Sequence, residues 1–125
     1  MSTDAGGNRV GGGAQPCKAP RVSEFVPMFW GCAGNLTAGL WPGWRTHWAE
    51  VGVTAVLGFN EPDNEGQAAL SPEQAALCWC QLDDLAQSFT PPLTLVGPGM
   101  THWDETGGSP WLDQFLVRIL PLTPH

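Results

Sequence analysis

No tyrosine occurs in the chain, and Lys and Arg together number only five among 125 residues. Twelve Asp and Glu oppose them, for a formal net charge of −7. That balance argues against a nucleic-acid partner, because binding to a phosphate backbone is carried by clustered Lys and Arg. It argues equally against an anionic membrane surface. No run approaches the roughly 18 apolar residues of a spanning helix, so no membrane partner is expected. The first residues, Met1 to Gln15, are polar and Gly-rich and lack the charged-then-apolar profile of a signal peptide. Cys17, Cys32, Cys78 and Cys80 contain no C-x-x-C pair, so the spacing of a zinc site is missing. His47 falls in a predicted helix and His125 at the end of the chain, neither with a ligand partner at metal spacing. No metal and no cofactor is therefore predicted.

What the chain has is tryptophan, seven of them, together with 16 Gly and 12 Pro. Trp outside a core makes a flat amphipathic contact surface. So much Gly and Pro suits strands joined by loops better than a helical bundle. A chain of this length is one domain's worth by the usual prior and can bury roughly two thirds of its unfolded surface. Residues 1–20, with Gly11, Gly12 and Gly13 in a row, read as a disordered tail, and residues 21–125 as the folded unit. The four cysteines allow three complete disulfide pairings in principle. Cys78 and Cys80, two apart in a predicted helix, point to different faces, and all four are expected to be packing thiols.

Three short apolar runs have strand length: Phe25–Trp30, Val53–Phe59 and Leu93–Gly97. They do not alternate cleanly, which predicts a parallel sheet covered on both faces. Pro27 is the weak point, because Pro removes a ladder donor. Helical patterns lie between the runs. Ser71-Pro72-Glu73-Gln74 offers a cap, a Pro suited to the first helical position and a capping-box partner. Ala75, Trp79, Leu82, Leu85, Ala86 and Phe89 then form an inward stripe, stopped by Pro91-Pro92. Ser109-Pro110 opens a second helix, with Trp111, Leu112, Phe115, Leu116 and Ile119 inward. A shorter helix from Gly43 to Val51 carries Trp44 and Trp48 and closes at Gly52. The alternation of strand and helix predicts an α/β architecture with right-handed crossovers.

In such folds reactive groups collect at the carboxyl ends of the strands. The second run ends in Phe59-Asn60-Glu61-Pro62-Asp63, which places Asn60 and Glu61 there. A residue before Pro is biased toward extended backbone. A Glu flanked by Phe59 and by Trp residues is partly desolvated, a setting that suits a general acid. Asn60 has the donors and acceptor to hold a sugar hydroxyl. The residues alone leave a second reading open, in which 60–64 is a polar turn after a strand.

Leu57-Gly58-Phe59-Asn60-Glu61-Pro62-Asp63, then Gln67 and Leu70-Ser71-Pro72-Glu73-Gln74-Ala75-Ala76 with Trp79, resembles glycoside hydrolase family 128. These are β-1,3-glucanases of the Asn-Glu-Pro clan. Phe25–Gly31 upstream, and Leu95-Val96-Gly97-Pro98 and Trp111–Phe115 downstream, are similar to the flanking segments of that family. The resemblance runs from about Phe25 to Leu120. It implies a partial TIM (β/α)8 barrel of about three βα units, strands three to five of the family barrel. It also implies that Glu61 is the general acid/base and that Asn60 touches the sugar 2-hydroxyl. The implied chemistry is retaining hydrolysis of β-1,3-glucan, with a second carboxylate about 5–5.5 Å from the acid.

Trp30 closes the first run, and Trp103, beside His102, follows the third. Each reads either as a sugar platform or as a core residue, whereas Trp44, Trp48, Trp79 and Trp111 fall on helix stripes and read as core. In the family the nucleophile lies on the seventh strand, so it is expected outside this chain, which reads as the central part of a domain of roughly 250 residues. Asp104 and Glu105 read as a solvated turn, and Asp63 and Glu65 as neighbours that tune charge or face solvent. The runner-up is a carbohydrate-binding or degenerate half barrel without catalysis. Three strands leave two open edges, which predicts self-association through them. Family members are commonly secreted or directed to the cell wall, which leaves localisation open.

Overall fold

A computed structural model of the chain describes residues 24–32 and 34–120. The proposed tail 1–20, Cys17 and His125 lie outside the described residues. The order of elements is α1 (Trp44–Val51), β1 (Ala55–Leu57), α2 (Pro72–Gln87), β2 (Thr94–Val96) and α3 (Pro110–Ile119). β1 and β2 are parallel, with Val56 opposite Leu95 and Leu57 opposite Val96. The predicted partial α/β fold is present, with the strands shorter than the apolar runs.

The first run, Phe25–Trp30, forms an isolated parallel bridge between Met28 and Leu57 rather than a full strand. Leu57 donates its amide to the Pro27 carbonyl at 2.8 Å, and Phe29 donates to the Leu57 carbonyl at 3.0 Å. Pro27 itself has no donor to return, which keeps the pairing short. The other two segments pair beyond their regular residues. Gly58 donates to Val96, Gly99 to Phe59 and Glu61 to Gly99. The pairing that positions the site therefore reaches Glu61.

Local signals place the helices. Ser71 Oγ accepts from the Gln74 amide and Gln74 Oε1 accepts from the Ser71 amide, a complete capping box. Ser109 accepts from the Leu112 amide and starts α3. Gly52, at φ 77°, ends α1 in the left-handed conformation that Gly adopts cheaply. α2 buries Ala75, Trp79, Leu82 and Ala86 as expected. α3 buries Phe115 and Ile119, but Leu116 is exposed, contrary to its predicted inward position. Residues 115 and 119 are one turn apart on a common line, and 116 is rotated about 100° off it.

Aromatic rings link the layers. Trp79 meets Phe59 and Phe115 edge-on, and Phe115 stacks on Trp111. Trp111 also donates Nε1–H to the Leu70 carbonyl at 2.8 Å. Trp48 packs against Phe29, Trp44 and Phe89. Val56, Phe59, Leu82 and Phe115 are fully buried, each contributing about 1.5–3 kcal/mol of transfer energy. Gly58 is dictated by this packing, since a Cβ there would lie 2.7 Å from the Trp79 ring.

Two expectations fail. The cysteines are not all packing thiols, because Cys32 and Cys78 form a disulfide with a Cα–Cα distance of 6.4 Å. α2 carries Cys78 up against the segment that follows Trp30, within the distance a disulfide can bridge. Nor is the sheet covered on both faces by the described residues. Met28, Leu57 and Val96 are neighbours in register, and Met28 and Val96 stay exposed. Val56, one residue away, points to the opposite face and packs under the helices.

Candidate active site

The three parallel segments finish side by side. Asn60 donates its amide to the Trp30 carbonyl at 2.9 Å, and Glu61 donates to Gly99 at 2.8 Å. This brings the ends of the first, second and third runs together at the carboxyl edge of the sheet. Trp30 is 52% exposed and Trp103 is 55% exposed, so neither ring belongs to the core. Beside Trp30 lies an open hollow of about 420 Å³, lined by Met28, Cys32, Asn35, Leu40 and Ala68 among others.

Glu61 sits at φ 46°, in the left-handed region. The extended backbone expected before Pro62 is therefore not what forms. The conformation persists because both sides of the peptide are engaged: the Glu61 amide on Gly99 and its carbonyl by the Asn64 amide at 3.0 Å. Pro62 is fully buried, which holds the next residue as well. A non-Gly residue in this region costs about 1–3 kcal/mol and is found preferentially at functional sites. The loop then folds back on itself, with Ala68 donating to Asn60 and Leu70 to Pro62.

The side chains of this loop reach across to the loop that follows β2. Thr101 Oγ1 donates to Glu61 Oε1 at 2.7 Å. Among the described residues, Glu61 Oε2 has no hydrogen-bond partner. Asn60 Nδ2 donates to Gln67 Oε1 at 2.8 Å, which fixes the side-chain amide. Asp63 neither faces solvent nor merely adjusts charge. Its side chain is 6% exposed, with His102 Nδ1 at 3.3 Å. It accepts from the Thr101 amide at 3.0 Å and from the His102 amide at 2.7 Å. Burial pushes its carboxyl up, but those amides, its own amide and His102 outweigh that and hold it below the ordinary range.

Asp104 shapes a turn, as expected. Its Oδ1 accepts from the Thr106 hydroxyl and from the amides of Thr106 and Gly108. The Thr106 hydroxyl, followed by those amides, lowers its carboxyl below the ordinary range. Among the described residues, no group of three or more His, Cys, Asp or Glu is placed to hold a metal ion. No described helix is long and apolar enough to cross a membrane.

Residues 13–120 match the family model for the glycosyl hydrolase catalytic core. The chain belongs to that family. Solved structures similar to it are β-1,3-glucanases of glycoside hydrolase family 128. A curdlan-specific exo-β-1,3-glucanase from Blastomyces gilchristii, in complex with glucose, is 27% identical over 85% of this chain and 43% of its own, with a TM-score of 0.62. An endo-β-1,3-glucanase from Pseudomonas viridiflava is 33% identical over 78% of this chain and 37% of its own, with a TM-score of 0.56. An endo-β-1,3-glucanase from Amycolatopsis mediterranei, in complex with laminaritriose, is 32% identical over 85% of this chain and 39% of its own, with a TM-score of 0.57. The chain thus spans about two fifths of the length of these solved relatives. Among curated proteins, none matches it.

Sequence reasoning placed Asn60, Glu61, Trp30 and Trp103 at one edge of the sheet; hydrogen bonds join the backbones of the first three there, and Trp103 lies in the loop after β2. It missed Thr101 and the clamping role of Asp63. The only available signal was position, since Thr101 follows the third run just as Glu61 follows the second.

Proposed function

We propose that the described residues form the acid-bearing part of a glycosidase cleft acting on β-1,3-glucan, on strands three to five of a (β/α)8 barrel. The single observation that carries this is Glu61. It stands at the carboxyl end of the middle parallel segment in a strained backbone, with one carboxyl oxygen held and the other without a partner among the described residues. In this reading Glu61 protonates the departing glycosidic oxygen. Asn60 Oδ1 accepts a hydrogen bond from a sugar hydroxyl, and the exposed faces of Trp30 and Trp103 flank the sugar as platforms.

The mechanism proposed is retaining. A carboxylate outside the described residues attacks the anomeric carbon as the glycosidic bond breaks, giving a glycosyl ester. Glu61, now ionised, takes a proton from water, which cleaves the ester and restores the acid. The solved relatives support the substrate class, since the Amycolatopsis enzyme is crystallised with laminaritriose and, in a substituted form, with laminarihexaose.

A second reading is favoured by one observation. Asp63, the buried acid two residues beyond Glu61, has both carboxyl oxygens engaged by the backbone amides of Thr101 and His102. It is not free to act as the nucleophile. The chain by itself would then bind glucan without turning it over. Self-association through the open sheet edges belongs to the same proposal, because Met28 and Val96 leave apolar surface beside those edges.

Reducing-sugar release from laminarin by the full chain separates the readings. The enzyme reading expects turnover that Glu61→Gln lowers by about 10²–10⁴-fold. Binding of laminarihexaose without turnover would establish the second reading instead.

A further inference from the structure

We propose that Thr101 is a positioning residue that aims the Glu61 carboxyl, and that Asp63 holds Thr101 in place for that purpose. The inference rests on the reading of Glu61 as the proton donor and adds two residues to it.

A threonine hydroxyl has one proton to give, and its direction can be read from its neighbours. Asn64 Oδ1 accepts from the Gly66 amide at 2.8 Å, which orients the Asn64 side chain and makes its nitrogen the end that faces Thr101. Asn64 Nδ2 approaches Thr101 Oγ1 at 3.5 Å as a donor. The Thr101 proton is therefore committed to Glu61 Oε1, at 2.7 Å. With Oε1 occupied as an acceptor, the acidic proton of Glu61 sits on Oε2. When Oε2 gives that proton to a leaving oxygen, the Thr101 hydrogen bond strengthens against the carboxylate that forms.

Such a bond aims a side chain only if its donor is fixed. Thr101 is fixed through its backbone, because its amide and that of His102 both donate to the buried Asp63 carboxylate. Asp63 lies two residues beyond Glu61, across the buried Pro62. Acid, clamp and donor thus close a small ring spanning the loops after β1 and β2. Displacing Thr101 would cost two charge-assisted hydrogen bonds along with the one to Glu61.

The test uses the full chain with Glu side chains isotopically labelled, in wild type, Thr101→Val and Thr101→Ser. Three-bond couplings of Glu61 read whether its side chain holds one rotamer. The proposal expects one rotamer in wild type, averaging over several in Thr101→Val, and recovery in Thr101→Ser. A Thr101→Val chain that keeps the wild-type rotamer overturns it. If Thr101→Val loses its helical circular dichroism, Thr101→Ala decides in its place by the same couplings. Where turnover is present, kcat should fall about tenfold in Thr101→Val with KM unchanged, and return in Thr101→Ser. Equal turnover in wild type and Glu61→Gln would overturn the acid assignment alone, while the couplings still decide whether Thr101 positions the carboxyl.

Discussion

Asp63 and Asp104 do the same chemistry in two places and have different consequences. Both carboxylates collect backbone amides, and both are held below the ordinary carboxyl range. Asp104 collects them from Thr106 and Gly108, within its own turn. Asp63 collects them from Thr101 and His102, which lie 38 and 39 residues away. The first carboxylate shapes a loop, and the second ties one loop to another. Hydrogen-bond count does not reveal this difference, but sequence separation does. The tie that spans two elements is the one that can reach a reactive group, and here it reaches Glu61 through Thr101.

Removing the cross-loop tie should have the larger effect. Asp63→Ala leaves the amides of Thr101 and His102 without their acceptor and should cost roughly 2–4 kcal/mol in denaturant unfolding. Its signature is faster amide exchange at Thr101 and His102. Exchange unchanged at both positions would mean that the clamp does not hold the loop. Acid titration sharpens the comparison next. A carboxyl lowered by folding stabilises the fold above its unfolded value, near 3.8, and that contribution is lost as pH falls through the lower folded value. Thermal stability should therefore drop more steeply below about pH 4 in wild type than in Asp63→Ala. Parallel curves would show that Asp63 is not lowered by its partners. The smallest effect belongs to Asp104→Ala. It should speed exchange at Thr106 and Gly108 while leaving Thr101 and His102 at wild-type rates. A change at Thr101 would erase the distinction between the two loops.

What could be read from the sequence follows the same division. Ser71 with Gln74, Ser109 with Pro110 and Gly52 after α1 act over a few residues, and each forms as expected. The Asn60-Glu61-Pro62 segment was legible because a strand end and a motif coincide there. The Glu61 backbone was not, because the extended bias before Pro is a local preference. Hydrogen bonds to Gly99 and from Asn64 overrode it. The Cys32–Cys78 bond and the Thr101–Glu61 contact join residues 46 and 40 apart. Only the packing of α2 and the register of the sheet bring those partners together, and no local pattern announces either. Leu116 shows the remaining limit: an apolar residue at helical spacing need not face inward when its neighbours at 115 and 119 already fill the contact with α2.

The Cys32–Cys78 bond makes the molecule topologically more than a linear chain. Everything from Cys32 to Cys78 becomes a covalent ring, with α1, β1, the Glu61 loop and the first turns of α2 strung along it. A protease that cuts once inside that ring opens it but releases nothing, because the two halves stay joined through sulfur. A single break between Cys32 and Cys78 therefore cannot free the segment that carries Asn60 and Glu61. Releasing it after such a cut takes either a second cut or a reductant.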